Sequence, residues 1–237
     1  EVREEKVEVP SEIRDLAEPF IIWQEGIVDR ERRFGRYVIP GRITQSGLSN
    51  AMDRAQQAIH RGDKSGYRSS SQIATAMRLH HLINHLLCQG IAASRHFLDR
   101  MELEQERSRS SNDFLRDRRV RFLSERLREM NEIHSKIGAV RRLVSSRLRR
   151  DNDSRVIVFA NYRDTVEALE KALSDLSGAR ATQFIGQSSR GESGGLSPKE
   201  QISRLESFRS GESNVLVATS VGEEGLDIPS ADLVIFY

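Results

Sequence analysis

The stretch VLVATSVGEEGLDIP, Val215 to Pro229, decides the fold of this chain. Its first five residues, VLVAT, carry no charge and show no polar alternation, which suits a parallel strand covered by helices on both faces. The remaining ten residues form a turn-rich segment of different chemistry. Thr219 and Ser220 supply hydroxyls, Gly222 and Gly225 permit close backbone approach, and Asp227 supplies an acceptor that could hold a sugar hydroxyl.

Working outward, short apolar runs alternate with amphipathic helical segments: VIVFA (Val156 to Ala160), TVEALEKALSDL, ATQFI, SPKEQISRLESFRSG, VLVAT and finally DLVIFY, ending at Tyr237. That order is βαβαβ followed by one more strand, the pattern of a parallel α/β sheet. Ligands of such sheets sit beyond the carboxyl ends of the strands. The segments to inspect are therefore FANYR (Phe159 to Arg163), FIGQSS (Phe184 to Ser189) and ATSVGEEGLDIP (Ala218 to Pro229), all at one edge. Neutral donors of this kind grip phosphate without reading a base.

Before Asp151 the spacing is helical. SSSQIATAMRLHHLINHLLCQ repeats apolar residues three and four apart, with Ser71 as the expected N-cap and Gly90 as the stop. Further helices are expected from Ser11, up to Gly62, over about Ala92 to Glu106, from Asn112 or Asp113 through Met130, and from Ser135 or Lys136 to Arg149. Residues 1–150 thus read as an all-helical bundle with antiparallel neighbours, and residues 151–237 as an α/β sheet domain. The fold class expected is mixed.

At 237 residues and 37% apolar content the chain can bury real cores. No run approaches the roughly 18 apolar residues of a membrane span, and the N-terminus is charged, so neither a span nor a signal peptide is expected. Cys88 is the single cysteine, which fits a reducing, intracellular setting. The net charge of +2 hides an arginine excess between Arg100 and Arg150 and an acidic balance after it. Arg116, Arg118, Arg119, Arg121, Arg126 and Arg128 are interleaved with Asp117, Glu125 and Glu129. Ion pairs on a solvated face explain some of them; a phosphate-binding surface, with Arg118, Arg119 and Arg121 as its candidates, explains the excess. His81, His85 and Cys88 have zinc-compatible helical spacing, but lack a fourth ligand or an HExxH motif and lie among leucines, so packing is expected and no metal site is assigned. Trp23 reads as core.

ATSVGEEGLDIP resembles motif V of superfamily 2 helicases, and VIVFANYR resembles their motif IV. NYRDTVEAL, FIGQSS, GGLSPKEQ, the run from ESFRSGESNVLVATS to DLVIFY, and upstream LHHLINHLLCQG together are similar to the archaeal Hef helicase and its eukaryotic FANCM relatives. The resemblance implies a thumb-like helical insert followed by a C-terminally incomplete second RecA-like lobe. It places Thr219 and Ser220 on the phosphates of the tracked strand, Asn161 and Arg163 against nucleic acid, Gly186 and Gln187 at a secondary backbone contact, and Gly225 and Asp227 facing the nucleotide. It also implies ATP and Mg²⁺ in the full-length parent, branched DNA and the first RecA-like lobe of the same parent as partners, and a cytoplasmic, nucleoid or nuclear location. The sequence leaves oligomeric state open.

The sequence holds neither a GxxxxGK(S/T) phosphate loop nor a DEAH-type acidic box, and the arginine-rich motif VI is expected beyond Tyr237. No catalytic residue is therefore assigned to these 237 residues, no tightly bound cofactor is expected, and no ATP hydrolysis by them alone. Two other readings stay open: a binding module without catalysis, and an RNA translocase of the Dicer or RIG-I kind, which shares a similar ATS-V-EEGLDIP block.

Overall fold

A computed structural model describes residues 2–35, 37–104, 106–186, 196–219 and 230–237. The chain divides into two compact units, Pro10–Asn131 and the combination of Glu1–Val9 with Glu132–Tyr237.

The first unit is helical. Helix α1 (Ser11–Arg30) runs on into a π-helical turn at Glu31–Gly35. Helix α2 (Gln45–His60) starts where the Thr44 hydroxyl accepts the Gly47 N–H at 3.0 Å. Helix α3 (Ser65–Asn84) begins earlier than Ser71, because the Asp63 carboxylate accepts the Ser65 N–H at 2.8 Å and nucleates the turn there. It closes in a π-helical turn, His85–Gln89, and stops at Gly90, whose φ of 109° suits glycine. Helix α4 (Ile91–Leu103) comes next.

The single helix expected through Met130 is two, α5 (Arg109–Arg116) and α6 (Arg118–Glu129). Asp117 breaks it. With ψ at 134° this residue leaves the helical region, and its carboxylate accepts the Arg119 N–H at 2.9 Å to restart the chain as α6. A short polar side chain that competes for backbone donors acts as a cap, not a continuation. Ile13, Phe20, Leu48, Ile73, Leu79 and Leu127 are among the fully buried residues that hold the unit together.

The second unit is a four-stranded, all-parallel sheet of order β2-β3-β1-β4 with helices on both faces. Its elements are α7 (Ser135–Arg150), β1 (Val156–Ala160), α8 (Arg163–Ser174), β2 (Ala181–Phe184), α9 (Pro198–Ser210), β3 (Val215–Thr219) and β4 (Leu233–Phe236). The continuous apolar runs VIVFA and VLVAT are the two central strands, buried at every residue. On one face Val156, Val158, Val215 and Val217 meet apolar residues of α7 and α8; on the other Ile157, Phe159 and Leu216 meet Leu205 and Phe208 of α9.

The hydrophobic period changes at Asp151, whereas the compact units divide between Asn131 and Glu132. The reason is α7, a helix by pattern whose Ile137, Val140, Val144 and Leu148 belong to the sheet's core. Arg155 and Arg180 satisfy the end of α9, donating to the carbonyls of Phe208, Arg209, Gly211 and Glu212 at 2.7 to 3.1 Å. The helical bundle and the parallel α/β sheet are thus both present in the expected order.

Candidate nucleic-acid interface

Because all four strands are parallel, their carboxyl ends lie along one edge, and that edge gathers the described members of the predicted site. Thr219 closes β3 in register with Ala160 of β1 and is 6% exposed. Asn161, immediately after β1, is exposed. Arg163 opens α8 and is half-buried; its guanidinium donates to the Gly186 carbonyl at 3.0 Å. Two predicted residues from different segments, Arg163 and Gly186, are therefore in direct contact. Ser220, Gln187, Gly225 and Asp227 lie outside the described residues.

The sequence did not single out Gln201. It sits in the first turns of α9, 8% exposed, and its amide donates to the Ile185 carbonyl at 2.9 Å. Successive carbonyls, Ile185 and Gly186, are thus held by donors from two helices. In a trans peptide the N–H lies opposite the carbonyl, so fixing the Ile185 carbonyl also fixes the direction of the Gly186 N–H. A signal for Gln201 exists in SPKEQ: Ser197 and Glu200 form a capping box, with contacts of 3.3 and 2.7 Å, which sets the helix start and hence the face Gln201 occupies. Hydrogen bonding from Ser197 holds the Glu200 carboxyl below its ordinary range.

In the helical unit the three arginine candidates part company. Arg119 is committed internally: it makes a two-point contact with the Asp117 carboxylate, both bonds at 2.9 Å, and its guanidinium lies 3.8 Å from the Trp23 ring centroid. The Arg119 hydrogen bond holds the Asp117 carboxyl below its usual range, and Asp117 in turn raises Arg119. Trp23 also stacks on Phe114 at 5.8 Å, so both rings serve packing. Arg126 pairs with Glu12 and Glu129, and Arg128 with Asp99 and Glu102. Arg118 and Arg121 are exposed, and no ion pair or side-chain hydrogen bond among the described residues engages either.

His81, His85 and Cys88 do not converge. His85 is 1% exposed with its Nδ1 2.8 Å from the His81 carbonyl, while Cys88 is exposed, because the π-helical turn rotates it off the shared face. Burial, and then electrostatic interaction with His85, His80 and Arg100, holds His81 below the ordinary histidine range. Among the described residues no group of three or more His, Cys, Asp or Glu is placed to hold a metal ion. No described helix is long and apolar enough to cross a membrane.

Residues 135–237 match the family described as "Helicase conserved C-terminal domain", and residues 42–134 match "Putative ATP-dependent RNA helicase, helical bundle". The crystal structure of the Pyrococcus furiosus Hef helicase domain superposes with a TM-score of 0.69 at 30% identity, covering 100% of this chain and 50% of that one. Its relatives include the Hef, Mph1 and FANCM helicases. A Methanocaldococcus jannaschii protein bearing the same RNA-helicase name is 38% identical over 68% of this chain and 20% of its own length. Neurospora crassa "ATP-dependent DNA helicase mph1" is 45% identical over 36% of this chain, and Arabidopsis thaliana "DEAD-box ATP-dependent RNA helicase FANCM" 53% over 35%. The chain spans half of the Hef helicase domain and 20%, 7% and 6% of these three relatives. The two matched segments, helical bundle and helicase C-terminal domain, follow one another along the chain.

Proposed function

We propose that this chain is the junction-binding insert and the strand-tracking second lobe of an ATP-dependent DNA translocase that acts on branched DNA such as stalled forks. The observation that carries the reading is the sheet edge, where Arg163 reaches Gly186 beside the exposed Asn161 and the terminal Thr219 of a helicase C-terminal domain. These groups suit a strand's backbone, not its bases: hydroxyl, amide and backbone N–H donors hold phosphates in any sequence. Tracking then needs no base identity. Arg118 and Arg121 add long-range attraction from the bundle, and Arg119 serves the fold.

ATP and Mg²⁺ belong to the whole machine. In this reading Gly225 and Asp227 face the nucleotide, and a first lobe of the parent holds its phosphates and metal. Nucleotide-driven closure of the two lobes would move the strand held at the Thr219 edge. The setting is intracellular. A second reading, an RNA translocase, draws on the RNA-helicase names of the Methanocaldococcus and Arabidopsis relatives.

The test is a salt titration of DNA binding by the chain and by Asn161→Ala with Thr219→Val. Loss of these neutral strand contacts should weaken single-strand binding equally for unrelated sequences while leaving the log K against log salt slope unchanged, because only charged groups release counterions. An unchanged affinity would remove the sheet edge from the interface.

A further inference from the structure

Helix α6 sorts its residues cleanly. Val120, Leu123, Ser124 and Leu127 are buried, and Arg118, Arg121, Phe122 and Glu125 are exposed. Phe122 is the anomaly of this helix: an aromatic ring 64% exposed on a face otherwise made of charges. A lone exposed apolar residue is ordinary. Its neighbours are what give it meaning. Arg118 lies one helical turn before it on the same face, and Arg121 is adjacent at the face's edge. These are the two α6 arginines that the bundle does not use, whereas Arg119, Arg126 and Arg128 are all tied to carboxylates.

An aromatic face flanked by two unengaged guanidinium groups is complementary to a ligand that carries flat rings on an anionic backbone. We propose that Phe122 stacks on an unpaired base of single-stranded nucleic acid, such as an arm of a branch, while Arg118 and Arg121 hold the neighbouring phosphates. Duplex keeps its bases stacked on one another and offers no free ring, so this site distinguishes single strand from duplex. The inference rests on the nucleic-acid reading of the bundle's arginines, and it adds a strand-state selectivity that the arginines alone lack.

The experiment compares the 237-residue chain with Phe122→Ala, Phe122→Trp, Arg118→Ala and Arg121→Ala. Binding is measured to an unstructured oligothymidine, to a fork with unpaired arms and to a blunt duplex, each across a salt series. Phe122→Ala should weaken oligothymidine and fork binding by roughly 5- to 150-fold, the range for one lost base stack. Its salt slope should stay unchanged, as should blunt-duplex affinity. Each arginine variant should instead lower the slope by about 0.7 on single strands. Phe122→Trp should restore affinity and quench a 2-aminopurine placed in the fork arm. Because Arg118, Arg121 and Phe122 are exposed, the Trp23 unfolding signal should match the parent's in the three alanine variants; Phe122→Trp adds a second indole, so its unfolding is followed by circular dichroism.

If the arginine variants change the slope but Phe122→Ala binds as the parent does, the stacking assignment is overturned and the nucleic-acid reading survives. Equal weakening on duplex and single strand by Phe122→Ala also overturns it. If the parent binds no single strand, or no variant alters binding, both fail at this helix.

Discussion

Replacing Asp117 by alanine removes three things at once, and their sum can be worked from the geometry. The carboxylate caps α6 through the Arg119 N–H at 2.9 Å, a contact worth about 1 kcal/mol. It pairs with the Arg119 guanidinium, whose partners are 43% and 23% exposed, so that this term is about 0.5 kcal/mol after screening. It also steers Arg119 over Trp23 at 3.8 Å, a cation–π contact worth about 0.5 to 1 kcal/mol. The bundle should lose about 2 kcal/mol, which at a urea dependence of about 2 kcal/mol per molar lowers the midpoint by roughly 1 M. Trp23 is the single tryptophan and lies in the helical unit, so its fluorescence reports that unit alone.

The pH dependence has a definite sign. Hydrogen bonding from Arg119 depresses the Asp117 carboxyl in the folded state, so its contribution is complete above the unfolded value of about 3.9 and is lost as pH falls through the folded value. The gap between parent and Asp117→Ala should be constant from about pH 5 to 8 and narrow below about pH 3.9. Asp117→Asn keeps a capping oxygen and should cost less than alanine. An alanine variant with the parent's midpoint, or a gap as large in acid as at neutrality, would refute this account of the α5–α6 corner.

Gln201→Met keeps the volume but strips the donor from the buried Ile185 carbonyl, at a cost of about 1 to 3 kcal/mol. Hydrogen exchange should accelerate in peptides that cover the end of β2 and not in α7; equal rates at both would dismiss the clamp. Gly66→Ala would place a Cβ 2.8 Å from the Ala55 carbonyl and from an Ile59 methylene, so α2 and α3 must part. The Trp23 unfolding signal should report a loss of about 1 to 3 kcal/mol, and an unchanged midpoint would mean the helices are not held that closely. The 237-residue polypeptide should show no ATPase above background with or without forked DNA, which a phosphate-release assay checks.

Some of this was legible from residues and some was not, for physical reasons. The runs VIVFA and VLVAT announce central strands because burial on both faces leaves no polar alternation, and both are buried throughout. Strand order needs pairing across the chain, which period alone does not encode. Asp117 looked like one more charge in an arginine-rich helix, since a cap and a solvated ion pair use the same residue type. The separate fates of Arg118 and Arg119 depend on Trp23 arriving from another helix, which only the fold supplies. Likewise α7 has the helical period of the bundle before it, and only the matching apolar face of the sheet draws it into the second unit. At the sheet edge, Arg163 and Gly186 were legible as separate motifs, and their contact was not.

The most direct test of the central claim is a competition in which the chain, bound to a labelled fork with unpaired arms, is challenged at fixed salt with unlabelled fork, blunt DNA duplex of the same length, or double-stranded RNA. The fork should compete at the lowest concentration, and duplex DNA and double-stranded RNA should both need at least about tenfold more, a difference of about 1.4 kcal/mol. Equal competition by all three, or the strongest by double-stranded RNA, would contradict that claim.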